Sequence, residues 1–506
     1  MSATLLDYPY TLLACLALAL SVRLIQYYQS WVKVPVVGGQ GILESWRAAR
    51  RFGTHAPELL EEGYRLHGDF AFQVSTPTGW HVCIVNDAMI REYLNAPDEY
   101  LSSTAPIQEF FQSKYTAPGL FHKIHSSMMN KALTWSRTRS RSADGYFTGF
   151  IEHLEYSFQQ EITGQMCADG DWNGFDGYTI ARRLTMGLVA KLLVGDLGRD
   201  PAIIDLFCEY TAEILIGGPY IRAFPAPLRP IIAQSTRVVQ LSNKMQKVFL
   251  DLINHRKIKS EKMAKQNDQP EDLTDWFWRW SQQDGNSDLT ELDIAQLLAA
   301  NTFGASFNTT VVLFQCLCEL ASRPEYVPLL REEVASTLKK SNMTWTREGV
   351  ESLRKLDSFI KESHRYNCFD VMGAPRVVKK TYTFKNGLTI PRGTVVFSPN
   401  RAMLFDEKYL SKPNEFDGMR FYDLAVGRES ETFRYTATNS HYLQFGDGKH
   451  VCPGRFFAAD ELRLILAYLL LHFDVRIQGA LPDGFKIRRN NLAQLGVTIL
   501  LKKRND

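Results

Sequence analysis

Apolar residues recur at three- and four-residue spacing along most of the chain, which is typical of buried and amphipathic helices. The segments with this spacing are residues 147–163, 178–194, 236–256, 291–322 and 349–365. Short β-prone runs predict a hairpin at Phe70–Val74 and Trp80–Val85, joined by the turn-forming Thr76-Pro77-Thr78-Gly79. Strand and turn signals return between Ala374 and Pro399. The pattern therefore predicts a mainly α fold with small β-sheets.

Length alone permits two or more domains, because the chain has 506 residues, of which 45% are hydrophobic and 22% are charged. Residues 257–272 are polar and charge-rich, and we interpret them as a solvated loop rather than an interdomain linker. No internal repeat divides the sequence. We expect one large, mainly helical domain over residues 46–506.

The N-terminus contains an uncharged apolar run from Tyr8 to Val22. About 20 apolar residues span a bilayer, so the run reaches that length only if its apolar flanks extend it. A cleaved signal peptide is the alternative, because Ala17-Leu18-Ala19 resembles a cleavage site, although no Lys or Arg precedes the run. We expect a single-pass membrane anchor over residues 1–30 and a Pro- and Gly-containing hinge over residues 31–45.

The distribution of charge and of cysteines indicates the cellular compartment of the chain and the classes of partner that it could bind. Lys and Arg follow the apolar run, which by the positive-inside rule leaves the rest of the chain in the cytosol. The net charge of +3 is small for this length and gives no sign of a nucleic-acid partner. The eight cysteines have neither the spacing of zinc sites nor the density of secreted disulfide scaffolds, which favours a reducing compartment.

One cysteine, Cys452, stands in a glycine-rich loop that reads Phe445-Gly446-Asp447-Gly448-Lys449-His450-Val451-Cys452-Pro453-Gly454. Glycines let a backbone pass close to a flat cofactor, and unpaired amides in such a loop donate to a thiolate sulfur and lower its pKa. A bare iron or zinc ion would need more ligands than this loop supplies. The loop therefore suits a single thiolate ligand.

This loop resembles the haem-binding signature of the cytochrome P-450 superfamily, Phe-x-x-Gly-x-x-x-Cys-x-Gly, and fills every fixed position. The continuation to Ala458 is similar to the filamentous-fungal branch that oxidises secondary metabolites. The resemblance covers nearly the whole chain after the apolar run. It implies the cytochrome P-450 fold, a single large helical domain that carries a buried haem b with Cys452 as its axial cysteinate. It also assigns haem-binding positions to Phe445, Gly446, Gly448, His450 and Gly454, with His450 at the position of a cation that contacts a haem propionate.

A second motif, Lys361-Glu362-Ser363-His364-Arg365, places Glu362 and Arg365 three residues apart on a predicted helix, where they can pair. The family has a buried Glu-x-x-Arg pair joined by an arginine upstream of the cysteine loop. Arg420 stands at the expected place for that arginine. The resemblance therefore implies a structural triad that supports folding and haem retention.

The helix predicted over residues 291–322 contains a third motif, Gly304-Ala305-Ser306-Phe307-Asn308-Thr309-Thr310. The family pattern has a glycine and an acid where this chain has Ser306 and Asn308. An amide cannot ionise, but it can donate to water and accept from it. We therefore expect Thr309 to carry proton delivery through ordered water, with Asn308 orienting that water.

Two segments are candidates for contact with the haem propionates. Arg376 follows Pro375 at the start of a predicted strand and is the better candidate. Trp135 and Arg139 fit the family's Trp-x-x-x-Arg, but the fungal pattern aligns His125 and Asn130 of the same helix instead. A solvated basic face is the alternative interpretation of Trp135 and Arg139, and the sequence favours neither.

The resemblance implies a monooxygenase at the endoplasmic reticulum membrane that inserts one oxygen atom of O2 into a C–H or C=C bond, because a cysteinate ligand favours O–O cleavage. NADPH would supply the electrons through NADPH-cytochrome P-450 reductase. The basic residues that could form its docking patch are Lys131, Arg137, Arg139, Arg141 and Lys449.

Apolar residues in regions that line family pockets suggest a lipophilic substrate, and the fungal branch points to a terpenoid or a similar secondary metabolite. These residues are Phe110, Phe111, Tyr115, Phe303, Phe307, Phe369, Val371 and Met372. A haem-thiolate isomerase or dehydratase that uses no O2 is one alternative; Asn308 favours it, whereas Thr309 and the basic patch argue against it. A haem-based sensor or carrier is another.

Overall fold

The computed structural model describes Ser21 and residues 32–121, 129, 131–136, 146–167, 171–262, 270–283, 289–428, 430–481 and 496–504. Its labelled helices are α1 (Ile42–His67), α2 (Asp87–Asn95), α3 (Thr104–Phe111), α4 (Ser113–Thr116), α5 (Tyr146–Glu161), α6 (Gly177–Val194), α7 (Pro201–Arg222), α8 (Arg229–Gln234), α9 (Arg237–Lys262), α10 (Leu273–Ser281), α11 (Glu291–Ser322), α12 (Tyr326–Lys340), α13 (Arg347–Glu351), α14 (Arg354–Tyr366), α15 (Asn400–Leu404), α16 (Arg420–Ala425) and α17 (Arg455–His472). Its strands are β1 (Val36–Val37), β2 (Ala71–Thr76), β3 (Gly79–Ile84), β4 (Leu101–Ser102), β5 (Asn173–Asp176), β6 (Met372–Val378), β7 (Tyr382–Thr383), β8 (Thr389–Ile390), β9 (Val395–Pro399), β10 (Phe473–Ile477) and β11 (Thr498–Lys503). The predicted fold class, mainly α with small β-sheets, is confirmed.

The chain divides into two compact units, of which the first holds most of the β-structure. This unit comprises the described residues up to Pro106 together with Asp370–Asn414 and Thr438–Val451. Its main sheet has the strand order β1-β2-β3-β9-β6-β4, and β7 pairs separately with β8. β2 and β3 form the predicted hairpin, an antiparallel pair in which Ala71 lies opposite Ile84. Buried apolar side chains of α2 and of the sheet strands form one of its hydrophobic clusters.

The segment predicted as a hinge is part of the first unit from Val32 onward. β1 pairs in parallel with β2, and the buried side chain of Gln73 exchanges hydrogen bonds with the backbone of Val32. Gly38 then turns the chain with a φ of 92°, where a Cβ atom would lie 2.8 Å from that of Ala48. The chain is thus attached to the sheet before α1 begins. The predicted anchor over residues 1–30 lies outside the described residues, Ser21 excepted.

The second unit is built around the helix α11. It comprises Ile107–Phe369, Glu415–Ala437 and Cys452–Asp506, within their described parts, and carries the three-stranded sheet β10-β11-β5. A capping box of Thr290 and Asp293 starts α11, which packs against α6, α9 and α14. Among the described residues, α11 is the one helix whose length and hydropathy would let it cross a membrane, but 78% of its most apolar stretch is buried in the protein. Its apolar character is therefore that of a core helix.

Two predicted element boundaries are wrong. The helix predicted over residues 349–365 is interrupted at Leu353, where ψ is 80°, so that α13 and α14 are separate. The Glu333 carboxylate of α12 accepts hydrogen bonds from the backbone amides of Lys355 and Leu356 and so satisfies the start of α14 from another element. Part of the loop predicted over residues 257–272 is helical, because α9 continues to Lys262, and residues 263–269 lie outside the described residues.

Candidate functional site

Cys452 lies three residues before the first residue of α17. Burial raises the pKa of its thiol, whereas hydrogen bonds from the backbone amides of Gly454 and Arg455 and the nearby Arg455 guanidinium lower it. The positive end of the α17 dipole acts in the same direction as these groups. A Cβ atom on Gly454 would lie 3.9 Å from the sulfur, an ordinary van der Waals distance, so Gly454 borders the sulfur without crowding it. Burial is the largest of these effects and raises the pKa of the thiol on balance, while the backbone amides and Arg455 oppose that rise.

The preceding residues, Phe445–Val451, belong to the first unit and form a tight loop. Gly446 and Gly448 both have a φ of 67°, which side-chain-bearing residues rarely adopt. A Cβ atom on Gly448 would also lie 3.0 Å from the Asn95 side-chain oxygen. The Thr438 hydroxyl donates to the Asp447 carboxylate at 2.9 Å and fixes the middle of the loop. Phe445 is half-buried at its start.

His450, predicted to contact a propionate, has a carboxylate neighbour in the first unit. Its Nε2 lies 3.1 Å from the Asp98 carboxylate. Burial lowers the pKa of His450, although the Asp98 charge acts in the opposite direction. Lys449, next to it, is exposed.

Arg376 is a buried cation of the first unit, with 4% of its surface exposed. Its Nη1 donates to the backbone carbonyls of Ala374 and Pro375, and no carboxylate of the described residues lies within 4 Å of its guanidinium. Burial lowers the pKa of Arg376. Because buried guanidinium groups are normally paired, Arg376 is suited to an anionic group such as a haem propionate.

The structure brings Glu362, Arg365 and Arg420 together in the second unit. Two nitrogens of Arg365 donate to the Glu362 carboxylate at 2.7 and 2.8 Å, and the Arg420 Nε donates to it at 3.2 Å. Glu362 and Arg365 are fully buried, and Arg420 is 8% exposed. The Asp417 amide also donates to Glu362, and the Glu415 carbonyl accepts from Arg420. Backbone groups thus supply the remaining partners of the charged triad.

Sequence reasoning missed two further buried residues of the same pentapeptide. The ammonium group of Lys361 donates to the backbone carbonyls of Phe433 and Arg434, and His364 Nδ1 lies 3.0 Å from the Tyr435 hydroxyl. Lys361 lies three and four residues before His364 and Arg365, so the three side chains lie along one side of α14, which was the available signal. Lys361 and His364 attach residues 433–435 to α14.

The helix α11 has one exposed stripe in its buried middle. Gly304 and Asn308, four residues apart on one face, are exposed, and a Cβ atom on Gly304 would meet nothing within 4 Å. Thr309 is 5% exposed, and its hydroxyl donates to the Ala305 carbonyl at 3.0 Å, which leaves its oxygen lone pairs to accept hydrogen bonds. Asn308 rather than Thr309 therefore borders the open space.

Of the two residues Trp135 and Arg139, which were predicted to contact the haem propionates, only Trp135 is among the described residues. Trp135 packs against Trp276 of α10, with ring centroids 6.4 Å apart. Lys131 is exposed and lies over the ring of Trp280. Arg139, His125 and Asn130 lie outside the described residues, as do Arg137 and Arg141 of the predicted docking patch.

The residues present fit haem iron. Among the described residues no group of three or more His, Cys, Asp or Glu side chains is arranged to hold a metal ion by itself. A single cysteine sulfur with backbone amides and the Arg455 guanidinium beside it, that of Cys452, instead suits an iron whose other ligands belong to a porphyrin.

A mainly helical fold with one cysteine between a glycine-rich loop and a helix is the arrangement of a haem-thiolate protein. Sequence comparison then gives its family. The sequence model described as Cytochrome P-450 matches residues 72–494, so the chain belongs to the cytochrome P-450 family. It is 42% identical to cytochrome P-450 monooxygenase atmQ of Aspergillus flavus, over 98% of this chain and 93% of that protein. It is 40% identical to cytochrome P-450 monooxygenase janQ of Penicillium janthinellum, over 95% of each chain, and 39% identical to cytochrome P-450 monooxygenase paxQ of Penicillium paxilli, over 94% of this chain and 92% of that protein. The predicted superfamily, its fungal branch and the enzyme class, a monooxygenase, are confirmed by these matches.

Proposed function

We propose that the protein is a membrane-anchored monooxygenase of fungal secondary metabolism that oxidises a lipophilic substrate, a terpenoid or a similar compound. The observation that carries the proposal is Cys452, whose sulfur receives backbone hydrogen bonds at the start of α17. Haem b, held by Cys452, would supply the activation of O2 when bound. The family and the named activity of the relatives support this assignment.

The protein's own residues position substrate and protons. Apolar side chains around the exposed stripe of α11 would hold a lipophilic molecule and exclude bulk water. Thr309 Oγ1, which donates its own proton to the Ala305 carbonyl, would accept a hydrogen bond from an ordered water and so hold in place the water chain that delivers protons, and the Asn308 amide would orient that chain. The triad of Glu362, Arg365 and Arg420 supports the fold and touches no reacting atom.

The partner and the location follow from charge and from the N-terminal sequence. NADPH-cytochrome P-450 reductase would deliver electrons at a basic surface, and Lys131 of the second unit and Lys449 of the first are both exposed. The apolar run before Val22 would hold the enzyme in the endoplasmic reticulum membrane with the catalytic part in the cytosol.

The test is reconstitution of the full-length holoenzyme with the reductase, NADPH and O2. We expect substrate-stimulated NADPH consumption and a product that carries one oxygen atom from labelled O2. Product that forms without O2 or reductase would show an isomerase or dehydratase instead. Haem binding without turnover on any pathway intermediate would indicate a sensor or carrier.

A further inference from the structure

Four phenylalanine rings of the second unit form a continuous row that leads to the exposed stripe of α11. The centroids of Phe110 and Phe111 are 4.8 Å apart, those of Phe111 and Phe303 are 5.1 Å apart, and those of Phe303 and Phe307 are 5.7 Å apart. Phe303 and Phe307 flank Gly304 on the surface of α11. The row is thus an apolar wall with one end beside the open space at Asn308.

The other end of the row lies under an arginine whose position is set by glycine packing. A Cβ atom on Gly218 of α7 would lie 2.5 Å from the Phe111 carbonyl oxygen, so only glycine lets α7 approach this backbone. Arg222 follows one turn later on the same face of α7. Its Cζ lies 5.7 Å from the centroid of the Phe110 ring.

The guanidinium of Arg222 has no hydrogen-bond or ion-pair partner among the described residues, although an acid is near. Glu109 is that acid, and its carboxylate accepts from Arg229 at 3.0 Å instead. Burial lowers the pKa of Arg222, the Glu109 charge raises it, and the Arg229 charge lowers it again. Arg222 is therefore a half-buried cation beside an aromatic wall, with donor groups available and its neighbouring acid already paired.

We propose that Arg222 binds an oxygen acceptor of the substrate while the row Phe110, Phe111, Phe303 and Phe307 holds its apolar body. A guanidinium only donates hydrogen bonds, so the bound group is a hydroxyl, a carbonyl or a carboxylate. This inference rests on the proposed function and narrows its substrate class. The substrate is an extended lipophilic molecule with an oxygen function at the end remote from Thr309, where oxidation takes place.

The test uses probes that report binding without turnover. An alkyl imidazole ligates ferric haem iron through its ring nitrogen and shifts the Soret band, so its Kd is read from a spectral titration of the full-length holoenzyme. Three probe series, with chains from octyl to hexadecyl, end in a methyl group, a hydroxyl or a carboxylate. At the chain length that reaches Arg222, we expect the hydroxyl and carboxylate probes to bind about tenfold more tightly than the methyl probe.

Variants separate Arg222 from a general charge effect. Arg222→Met should abolish the preference and leave the Kd of the methyl probe unchanged, and Arg222→Lys should keep part of it. Arg237→Met is the matched control, because Arg237 is a mostly exposed arginine paired with Glu209, and it should bind all probes as the parent does.

A parent enzyme without preference at any chain length, or an Arg222→Met variant that keeps the preference, would overturn the inference. Either result, obtained with a preparation that oxygenates substrate with reductase and O2, leaves the proposed function standing. An Arg222-dependent preference in a holoenzyme that turns over without O2 would contradict the proposed function and support the role of Arg222.

Discussion

Among single residues, Glu362 is the buried acid on which the charged triad depends. Its one carboxylate faces the guanidinium groups of Arg365 and Arg420 in a fully buried position. Removal of its charge leaves two buried cations without a counter-ion. Loss of one partner of a buried ion pair lowers the free energy of unfolding by about 3 to 5 kcal/mol.

We therefore expect Glu362→Gln to lower the free energy of unfolding of the holoenzyme by roughly 3 kcal/mol or more and to promote haem loss. Glu431→Gln is the control, because Glu431 pairs with Arg354 at an exposed site and such pairs contribute about 1 kcal/mol or less. Urea titrations followed by tryptophan fluorescence and by the Soret band measure both. Equal stability of the two variants would contradict the structural role of Glu362.

Thr309 and Asn308 allow a prediction about proton delivery. If Thr309 Oγ1 holds the water chain that delivers the proton, Thr309→Ala should divert electrons to hydrogen peroxide, while Asn308→Ala should do so less. Asn308→Asp, which restores the family acid at an exposed position, should keep or improve coupling. Product formed per NADPH consumed, measured beside peroxide release, decides between these outcomes. An unchanged ratio in Thr309→Ala would show that another group delivers the proton.

The roles of residues within a short motif could be predicted from the sequence. The roles of residues that act through contacts distant in sequence could be predicted less well. Glu362 and Arg365 are three residues apart, so their pairing follows from helix geometry alone. Arg420 was assigned only through the family resemblance, since 55 residues or so of chain separate it from that pair. No motif marks Arg222, because its setting depends on the close packing of Gly218 against Phe111.

At the scale of elements, α14 joins its neighbours through buried polar groups. Burial lowers the pKa of His364 from 6.5 to about 3, so the folded protein keeps this imidazole neutral. The unfolded chain binds the proton first, and the free energy of unfolding therefore falls as the pH drops from 6.5 toward about 3.

His364→Phe removes this titration and keeps a ring in stacking distance of Phe369, whose centroid lies 5.5 Å from that of His364. From neutral pH to about pH 5, we expect the parent to lose about 2 kcal/mol more stability than the variant. His153, with a pKa lowered to about 4 by burial, titrates in both proteins and serves as an internal control. Parallel stability curves would show that His364 contributes nothing to acid sensitivity.

Periodicity predicted most of the elements but not their interruptions. α11 begins at Glu291 and ends at Ser322, as its apolar spacing predicts. The break between α13 and α14 could not be predicted, because the Glu333 carboxylate that satisfies the start of α14 comes from α12. A local pattern contains no information about a cap supplied by another helix.

At the scale of the whole molecule, two truncations of the N-terminal region separate membrane attachment from the stability of the fold. A chain that begins at Val32 keeps β1 and the hydrogen bonds of Gln73, and it should become largely soluble with its haem spectrum intact. A chain that begins at Ile42 lacks both and leaves the buried Gln73 amide unpaired, which costs about 1 to 3 kcal/mol. Fractionation and thermal unfolding measure the two effects. Loss of haem from the chain that begins at Val32 would mean that the apolar run packs into the fold.

The central claim is that Cys452 supplies a thiolate to haem iron, and the spectrum of the ferrous carbon monoxide complex tests it most directly. The parent holoenzyme and the control Cys83→Ala, which changes a buried cysteine of β3, should both show the red-shifted Soret band of a thiolate-ligated haem. Cys452→Ser should lose that band and its monooxygenase turnover. A Cys452→Ser enzyme that kept the red-shifted band and full turnover would contradict the account.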